Sequence, residues 1–448
     1  MKNIEVLKAG FAKIIITPPI GTSMTGFGHR DFDADGCKGV HDDLYIRALF
    51  LEQGKEKILI MGFDLLFFSR DEADRFKGAI GRAVGLSPTQ ILLNTSHTHT
   101  GPKVGTWLYS QSDPLYLNEL ELAILKAVNK AKENMEEVTL WAGTARSDLP
   151  MNRRLLNDLG IAQWAVNPDG TVYDKIPFTL LKDKNDKPFS LLFSASCHPS
   201  TVSGNLREFY ISADYPGVAM KQLDEYLGIE GSLFLQGVGG DTKASVLGKG
   251  REGMEEWKQG TWDDVESAGS LVSDAIKKNI DKGLMQIKPN LQTHTIDMDW
   301  ELKTPLSKSE YKKAYNTKIT PEGRVDINND VWAADMMEHI DRGFKLPSTV
   351  SITTHAVQLG NGVRMLSLEG EAVAEFGHII EKFYNGGVTF PLSYTDGCQM
   401  YLPTTQMLNE VGYEVDSYWE YRKPTPLAGG HEEILYKAMK KFSNKGIK

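Results

Sequence analysis

The sequence predicts an α/β fold, with mixed β-sheets flanked by helices in one large domain that covers residues 1–448. Short apolar runs of strand length alternate along the chain with segments of helical periodicity, and this alternation is typical of α/β proteins. One part of the chain, residues 57–95, has the strand–helix–strand order of a βαβ unit. No stretch rich in proline, glycine or serine divides the chain, so the composition indicates no domain boundary.

The elements of the βαβ unit and its neighbour follow from local patterns. Two strands are predicted at residues 46–52 and 57–64, because both runs are apolar and a polar turn joins them. Residues 70–84 have helical spacing, and the helix is expected to end before Gly85, a residue type that favours helix C-termini. The run 90–94 is the next strand, and we expect it to pair in parallel.

The rest of the chain continues the same alternation. Residues 184–188 are turn formers between two apolar runs, and they predict a β-hairpin. The remaining predicted elements are strands at 178–181, 190–195, 232–236, 291–299, 350–359 and 364–368, and helices at 115–134, 218–227, 263–278, 372–384 and 432–442. Two polar, tryptophan-bearing segments near 244–262 and 302–345 do not fit the pattern, and we expect them to be lid-like insertions over a site.

Composition and charge exclude several classes of protein. The formal net charge of −9 argues against nucleic acids and anionic membranes as main partners. Cys37, Cys197 and Cys398 are too few for a disulfide framework, so we expect reduced thiols. The sequence shows no signal peptide and no run of about 18 apolar residues. We therefore expect a cytoplasmic protein without stable membrane insertion.

The strongest functional signal is a pair of histidines that follows the apolar run at 90–94. His97 and His99 are spaced i, i+2, and in extended backbone such side chains project to the same face. Neutral imidazole is a common zinc ligand and a common general acid or base. A single histidine here would usually be structural. Two on one face at the end of a strand indicate a metal or catalytic site.

Other polar residues also follow predicted strands directly. His198 comes after the run 190–195, Asp241 after 232–236, and Glu371 after 364–368. In α/β sheets, ligands bind outside the carboxyl ends of strands, so these side chains are expected to converge with His97 and His99. Each has a plainer interpretation. His198 could be an ordinary strand-end residue, and Glu371 could be the first-turn acid of the following helix.

Taken in order, these motifs resemble those of the catalytic domain of the neutral/alkaline, non-lysosomal ceramidases, which are zinc amidases that split the N-acyl bond of ceramide. The resembling segments are 9–19, 24–28, 39–48, 96–102, 152–153, 197–198, 240–241, 370–371 and 401–404. The ordered series is far more specific than any single segment.

The resemblance implies a zinc site and its surroundings. It implies His97, His198, Glu371 and Tyr401 as zinc ligands, with His99, Arg153 and Tyr413 as catalytic residues. It also implies that Arg154 and Asp241 are substrate-binding residues. From the residues alone, Tyr401 and Tyr413 would be core aromatics. Arg154 indicates a polar or anionic substrate, or else it is a solvated surface charge.

The sequence also departs from the family pattern. Pro199-Ser200 stands after His198 where the family has Gly-Thr, and Arg154-Leu155 stands after Arg153 where it has Ser-Pro. The carboxy-terminal immunoglobulin-like domain of the family is not in this sequence. We therefore expect a zinc-dependent hydrolase of an N-acyl amide bond, acting on a smaller soluble compound rather than on ceramide. The alternatives are hydrolysis of an ester or glycosidic bond and a non-catalytic metal-containing binding protein.

Overall fold

The computed structural model describes residues 6–27, 35–107, 111–202, 209–248, 257–319 and 329–448. The strands are β1 (Leu7–Ile15), β2 (Gly39–Val40), β3 (Tyr45–Gln53), β4 (Glu56–Phe63), β5 (Ile91–Thr95), β6 (Glu136–Arg146), β7 (Pro150–Leu156), β8 (Ala162–Asn167), β9 (Lys175–Asp183), β10 (Pro188–Ala195), β11 (Tyr210–Ile211), β12 (Ser232–Gln236), β13 (Thr242–Ala244), β14 (Met285–Ile287), β15 (Pro289–Glu301), β16 (Thr349–Gly360), β17 (Val363–Leu368), β18 (Glu371–Ala372), β19 (Val388–Leu392) and β20 (Tyr401–Leu402). The α-helices are α1 (Arg70–Val84), α2 (Pro114–Glu133), α3 (Asp214–Leu227), α4 (Trp262–Asp281), α5 (Lys308–Thr317), α6 (Asn329–Asp341), α7 (Glu375–Phe383), α8 (Met407–Glu410), α9 (Tyr413–Asp416) and α10 (His431–Asn444).

Two sheets form the centre of the molecule. The larger has the strand order β12-β10-β9-β6-β1-β3-β4-β5, with β14 paired to β6, and the smaller has the order β15-β16-β17-β19. Apolar side chains of both sheets pack together in one buried cluster. Helices α1 and α2 cover one part of the outer face of the large sheet, and α3 and α4 cover another. Helices α5, α6, α7 and α10 cover the small sheet.

The two ends of the large sheet approach each other, and this closure positions the candidate site. The side chain of Asn94 in β5 accepts a hydrogen bond from the backbone N–H of Gln236 at 2.7 Å, at the end of β12. The backbone N–H of Thr95 donates to Tyr394, which follows β19. The ends of β5, β10, β12 and β19 are therefore brought to one place.

The predicted βαβ unit is confirmed. Strands β3 and β4 are antiparallel, and β4 and β5 are parallel with α1 between them. Helix α1 has a capping box formed by Ser69 and Glu72, and it ends at Gly85, whose φ is 76°. Local capping signals of this kind fix helix ends with little help from the rest of the fold. The hairpin around 184–188 is confirmed as well, as β9 and β10.

Other predictions needed correction. The helix predicted at 372–384 begins only at Glu375, because Glu371 and Ala372 pair in parallel with Tyr401 and Leu402. Strands β1, β6, β7 and β8 were not predicted. Charged residues interrupt the apolar pattern in β6 and β7; β7, for example, contains Arg153 and Arg154. The three cysteines are buried and free, as expected.

The predicted insertions are only partly described. Residues 249–256 and 320–328 lie outside the described residues, and so does Gly28 of the segment 24–28. In the described part of 302–345, Tyr311 and Trp332 are fully buried in the same core as the small sheet. Among the described residues, no helix combines the length and the apolar character that a membrane crossing requires.

Close packing of β1 against α2 gives a first testable prediction. A Cβ atom at Gly10 would overlap the backbone carbonyl oxygen of Ala131 in α2. Because backbone cannot rotate away as a side chain can, we expect Gly10→Ala to lower the free energy of unfolding by about 1–3 kcal/mol. Denaturant unfolding measures this change.

A second glycine serves as the control. A Cβ at Gly78 in α1 meets only the end of the Arg82 side chain, at 3.4 Å. Gly78→Ala should therefore raise stability by about 0.5–1 kcal/mol, as alanine does in helices generally. Equal effects of the two substitutions would contradict the packing argument.

Candidate metal centre

The predicted ligands come from four separate places in the chain. His97 lies just after β5 and His198 just after β10, while Glu371 is in β18 and Tyr401 in β20. Strands β18 and β20 are parallel, and Glu371 and Tyr401 are register partners. The pairing fixes the relative position of the carboxylate and the phenol.

Three of the ligand atoms form a closed triangle. Nε2 of His97 is 3.2 Å from Nε2 of His198. Oε2 of Glu371 is 3.3 Å from the first of these nitrogens and 3.4 Å from the second. The phenol oxygen of Tyr401 lies 3.3 Å from Nε2 of His198. A tetrahedral zinc ion with bonds of ~2.05 Å has ligand–ligand edges of ~3.3 Å, so these spacings suit such an ion.

The tautomers of the histidines support the same conclusion. The Nδ1 atoms of His97, His99 and His198 each face a backbone carbonyl oxygen, at 3.0, 2.6 and 2.7 Å. These carbonyls belong to Leu66, Gly26 and Gly239 respectively. A carbonyl only accepts, so in the neutral ring each Nδ1 carries the hydrogen and each Nε2 carries a lone pair. Three lone pairs therefore converge without a hydrogen between them, which is the arrangement that a cation satisfies.

Electrostatics keep these groups in the protonation states that a metal requires. Burial and the charge of Arg153 lower the pKa of His198 to about 4, so its imidazole is neutral at pH 7. Burial and the neighbouring histidines hold the pKa of His99 well below its usual value.

The two histidines of the motif meet for a different reason from the one that the sequence suggested. Strand β5 ends at Thr95, and His97 has a φ of 66°, in the left-handed region. The extended-backbone argument for His97 and His99 was therefore wrong. Their Nε2 atoms are nevertheless 3.1 Å apart, because the backbone turns at His97, whose N–H donates to Leu65.

Two tyrosines that the sequence analysis missed hold Glu371. The hydroxyl of Tyr394 donates to Oε2 of Glu371 at 3.1 Å, and the hydroxyl of Tyr421 donates to Oε1. The ring of Tyr394 also stacks on His97, with 4.0 Å between ring centroids. Neither tyrosine lies in a recognisable motif, so no local signal could have found them.

Arg153 lies beside the ligand set and is held by a buried carboxylate. Its Nη2 atom donates to the Tyr401 hydroxyl at 3.1 Å and to the Gly240 carbonyl at 2.7 Å. Its Nε atom donates to Oε1 of Glu414 at 2.8 Å, while Arg154 donates to the other oxygen of Glu414 at 2.7 Å. Arg154 is 5% exposed. It is therefore not a solvated surface charge.

The two remaining predicted residues make contacts with the protein itself. Asp241 is buried, and its carboxylate accepts hydrogen bonds from the Asn152 side chain at 3.1 Å and the Ala374 backbone at 2.8 Å. Burial raises the pKa of Asp241 to about 6. The ring of Tyr413 packs edge-on against Tyr401, with 5.3 Å between centroids.

Comparison with known proteins shows what the fold is. No protein-family model and no curated protein matches the chain. A solved structure of a ceramidase complexed with C2 superposes with a TM-score of 0.72 and 14% identity, covering 97% of this chain and 74% of that one. The neutral ceramidase from Pseudomonas aeruginosa gives a TM-score of 0.70 at 14% identity, with 97% and 73% covered. This chain therefore has the fold of the neutral ceramidases over almost its whole length.

Proposed function

We propose that this protein is a zinc-dependent amidohydrolase that cleaves N-acyl amide bonds. The observation that carries the proposal is the closed triangle of His97, His198 and Glu371, with edges of 3.2, 3.3 and 3.4 Å around converging lone pairs. Zinc is the metal of choice because two imidazoles and a carboxylate, with room for one more ligand, are typical of its catalytic sites. The fold shared with ceramidases, which split an amide, supports the type of bond.

Two residues compete for the fourth ligand position. His99 is near the triangle, and the ligand nitrogens of His97, His99 and His198 all lie within 4.8 Å of one another. Distance does not separate the two, since Nε2 of His99 is 3.1 Å from Nε2 of His97 and the Tyr401 oxygen is 3.3 Å from Nε2 of His198. Tyr401 is the better fit because Arg153 donates to its oxygen. Burial and the charge of Glu371 raise the pKa of Tyr401 well above its usual value, and the Arg153 guanidinium opposes this rise and so favours the phenolate form that a metal binds. We therefore propose Tyr401 as ligand and His99 as proton carrier.

Zinc, when bound, lowers the pKa of a water molecule and polarises the substrate carbonyl. His99 would accept the proton of the attacking water at Nε2, since its Nδ1–H is already committed to Gly26. It would then deliver this proton to the leaving amine. Arg153 would donate to the substrate or to the developing oxyanion, where a well-placed donor is worth about 3 kcal/mol. Tyr413 would do the same only by giving up the hydrogen bond that its hydroxyl donates to Glu420 at 3.1 Å.

The glycosidic alternative needs a free pair of carboxylates. Among the described residues of the site, Glu369 is paired with Arg70 and accepts from Gln399 at 2.7 Å. Asp241 is engaged by Asn152 and by backbone. These contacts give no support to a glycosidase mechanism.

Metal removal gives a direct test of zinc dependence. We expect a chelator to abolish turnover and added zinc to restore it. Because the ion binds only the folded chain, zinc at about 1,000 times its dissociation constant should stabilise the protein by about 4 kcal/mol. Turnover and thermal unfolding measured on the same samples check both statements. Turnover that survives complete zinc removal would contradict the proposal.

The substrate is tested by amine release from a short-chain ceramide, beside a set of water-soluble N-acyl amines, in zinc-supplemented buffer. We propose a smaller N-acyl compound as substrate. The exposed Trp164, whose ring lies 4.1 Å from the Arg153 guanidinium, favours an acyl group with an apolar portion. Cleavage of the soluble compounds alone would support the smaller substrate, and cleavage of ceramide alone would contradict it.

A further inference from the structure

We propose that Tyr421 is a positioning residue for the metal centre, and that helices α5 and α6 hold it in place. The inference rests on the proposed function, because it assumes that Glu371 binds zinc. The two oxygens of Glu371 have different surroundings. Oε2 faces the Nε2 atoms of His97 and His198 and also accepts the hydroxyl of Tyr394 at 3.1 Å. Oε1 accepts the hydroxyl of Tyr421.

This division of the carboxylate has a chemical consequence. A glutamate can bind a metal through one oxygen or through both. Oε2 is the oxygen that lies beside the two imidazole nitrogens, and the hydroxyl of Tyr421 on Oε1 would hold the carboxylate in the orientation that presents Oε2 to an ion. Binding through one oxygen keeps a coordination position open for water, which a catalytic zinc site requires. Hydrogen-bond partners of metal-ligating groups typically change metal affinity by about 10- to 100-fold when they are removed.

Tyr421 belongs to a tight turn, residues 417–424, that keeps its hydroxyl aimed at Glu371. The carbonyl oxygen of Tyr418 accepts the backbone N–H of Tyr421 at 3.2 Å and that of Lys423 at 3.1 Å. Arg422 adopts a φ of 55°, in the left-handed region. A turn with a strained residue persists only where its surroundings fix it.

Helices α5 and α6 provide that support. The indole N–H of Trp332 donates to the Lys423 carbonyl at 2.8 Å, and the hydroxyl of Tyr311 donates to the Pro424 carbonyl at 3.1 Å. The rings of Trp332 and Tyr418 pack edge-on, with 5.7 Å between centroids. Both donors are fully buried side chains that reach backbone of the turn. The described part of 302–345 therefore acts as a support for the metal site.

The first test is the zinc dissociation constant of Tyr421→Phe, measured by competition with a chromophoric chelator. We expect an increase of about 10- to 100-fold. The control is Tyr116→Phe, which also removes one buried phenol hydrogen bond, to the Ile16 carbonyl at 2.8 Å in another core. It should leave the constant unchanged. Cobalt in place of zinc gives an independent reading, because its visible absorption weakens when Glu371 binds through both oxygens. An unchanged dissociation constant in Tyr421→Phe overturns the proposal.

The second test asks whether the helices act through Tyr421. Trp332→Phe should raise the zinc dissociation constant in the wild-type background and add nothing in the Tyr421→Phe background. Tyr311→Phe, which keeps the ring, replaces Trp332→Phe if that variant does not fold. If the effects of Trp332→Phe and Tyr421→Phe on the zinc dissociation constant are fully additive, the supporting role given to helices α5 and α6 is overturned. Zinc binding that depends on Tyr421 in a chain that cleaves no amide would contradict the hydrolase proposal alone and support this one.

Discussion

His97→Ala should lose both bound zinc and turnover, whereas His99→Ala should keep zinc and lose turnover. His97 is one corner of the ligand triangle, and its removal leaves Glu371 and His198 with too few partners to retain the ion. His99 lies beside the triangle, so its loss should remove proton transfer alone, lowering kcat by about 10²–10⁴-fold. Zinc content after dialysis and kcat on the same sample separate the two roles.

The exposed His378 provides a control for this pair, since its Nε2 faces the Val172 carbonyl and not the metal site. His378→Ala should keep both zinc and turnover. If His99→Ala also lost its zinc, His99 rather than Tyr401 would be the fourth ligand. This result would contradict the role of His99 as proton carrier.

Glu414→Ala should lower the free energy of unfolding by about 3–5 kcal/mol, the usual cost of removing one partner from a buried ion pair. Glu414 is 2% exposed and is the shared acceptor of Arg153 and Arg154. Without it, two buried guanidiniums lose their closest carboxylate. Urea unfolding at pH 7 measures the change.

Glu410→Ala is the matched control, because Glu410 forms an ion pair with Arg154, at 3.3 Å, accepts from the neutral Gln406 side chain, and is more exposed. We expect it to lower the free energy of unfolding by less than about 1 kcal/mol.

The dependence of the free energy of unfolding on pH gives a second check on Glu414. Burial alone would raise the pKa of Glu414, but the charges of Arg153 and Arg154 hold this pKa below its usual value. Its contribution is therefore present at neutral pH and lost as the pH falls through that lowered pKa. Similar costs for the two variants would contradict the shared-acceptor role.

Local signals account for the parts of the fold that were predicted correctly. Helix α1 has its capping box and Gly85 within a few residues of its ends, and the hairpin of β9 and β10 has its turn formers between the strands. Strand β7 was missed, although it carries Arg153. Its polar side chains contact Asp241, Tyr401 and Glu414 in the interior, and polar runs do not carry the apolar pattern on which strand prediction depends.

The sequence by itself determined the order of the elements, the histidine motif and the ordered series of segments that resembles the ceramidases. Only the tertiary structure decided how distant parts meet. The ends of the two edge strands β5 and β12 approach each other, β18 pairs with β20, and Tyr394 and Tyr421 contact Glu371. The tertiary structure also placed the backbone of His97 in the left-handed region and paired Arg154 with Glu414. The physical reason is that helix caps and turns are stabilised by neighbours in sequence. The candidate metal site brings together residues as far apart in sequence as His97 and Glu371, and no local pattern records which of them will touch.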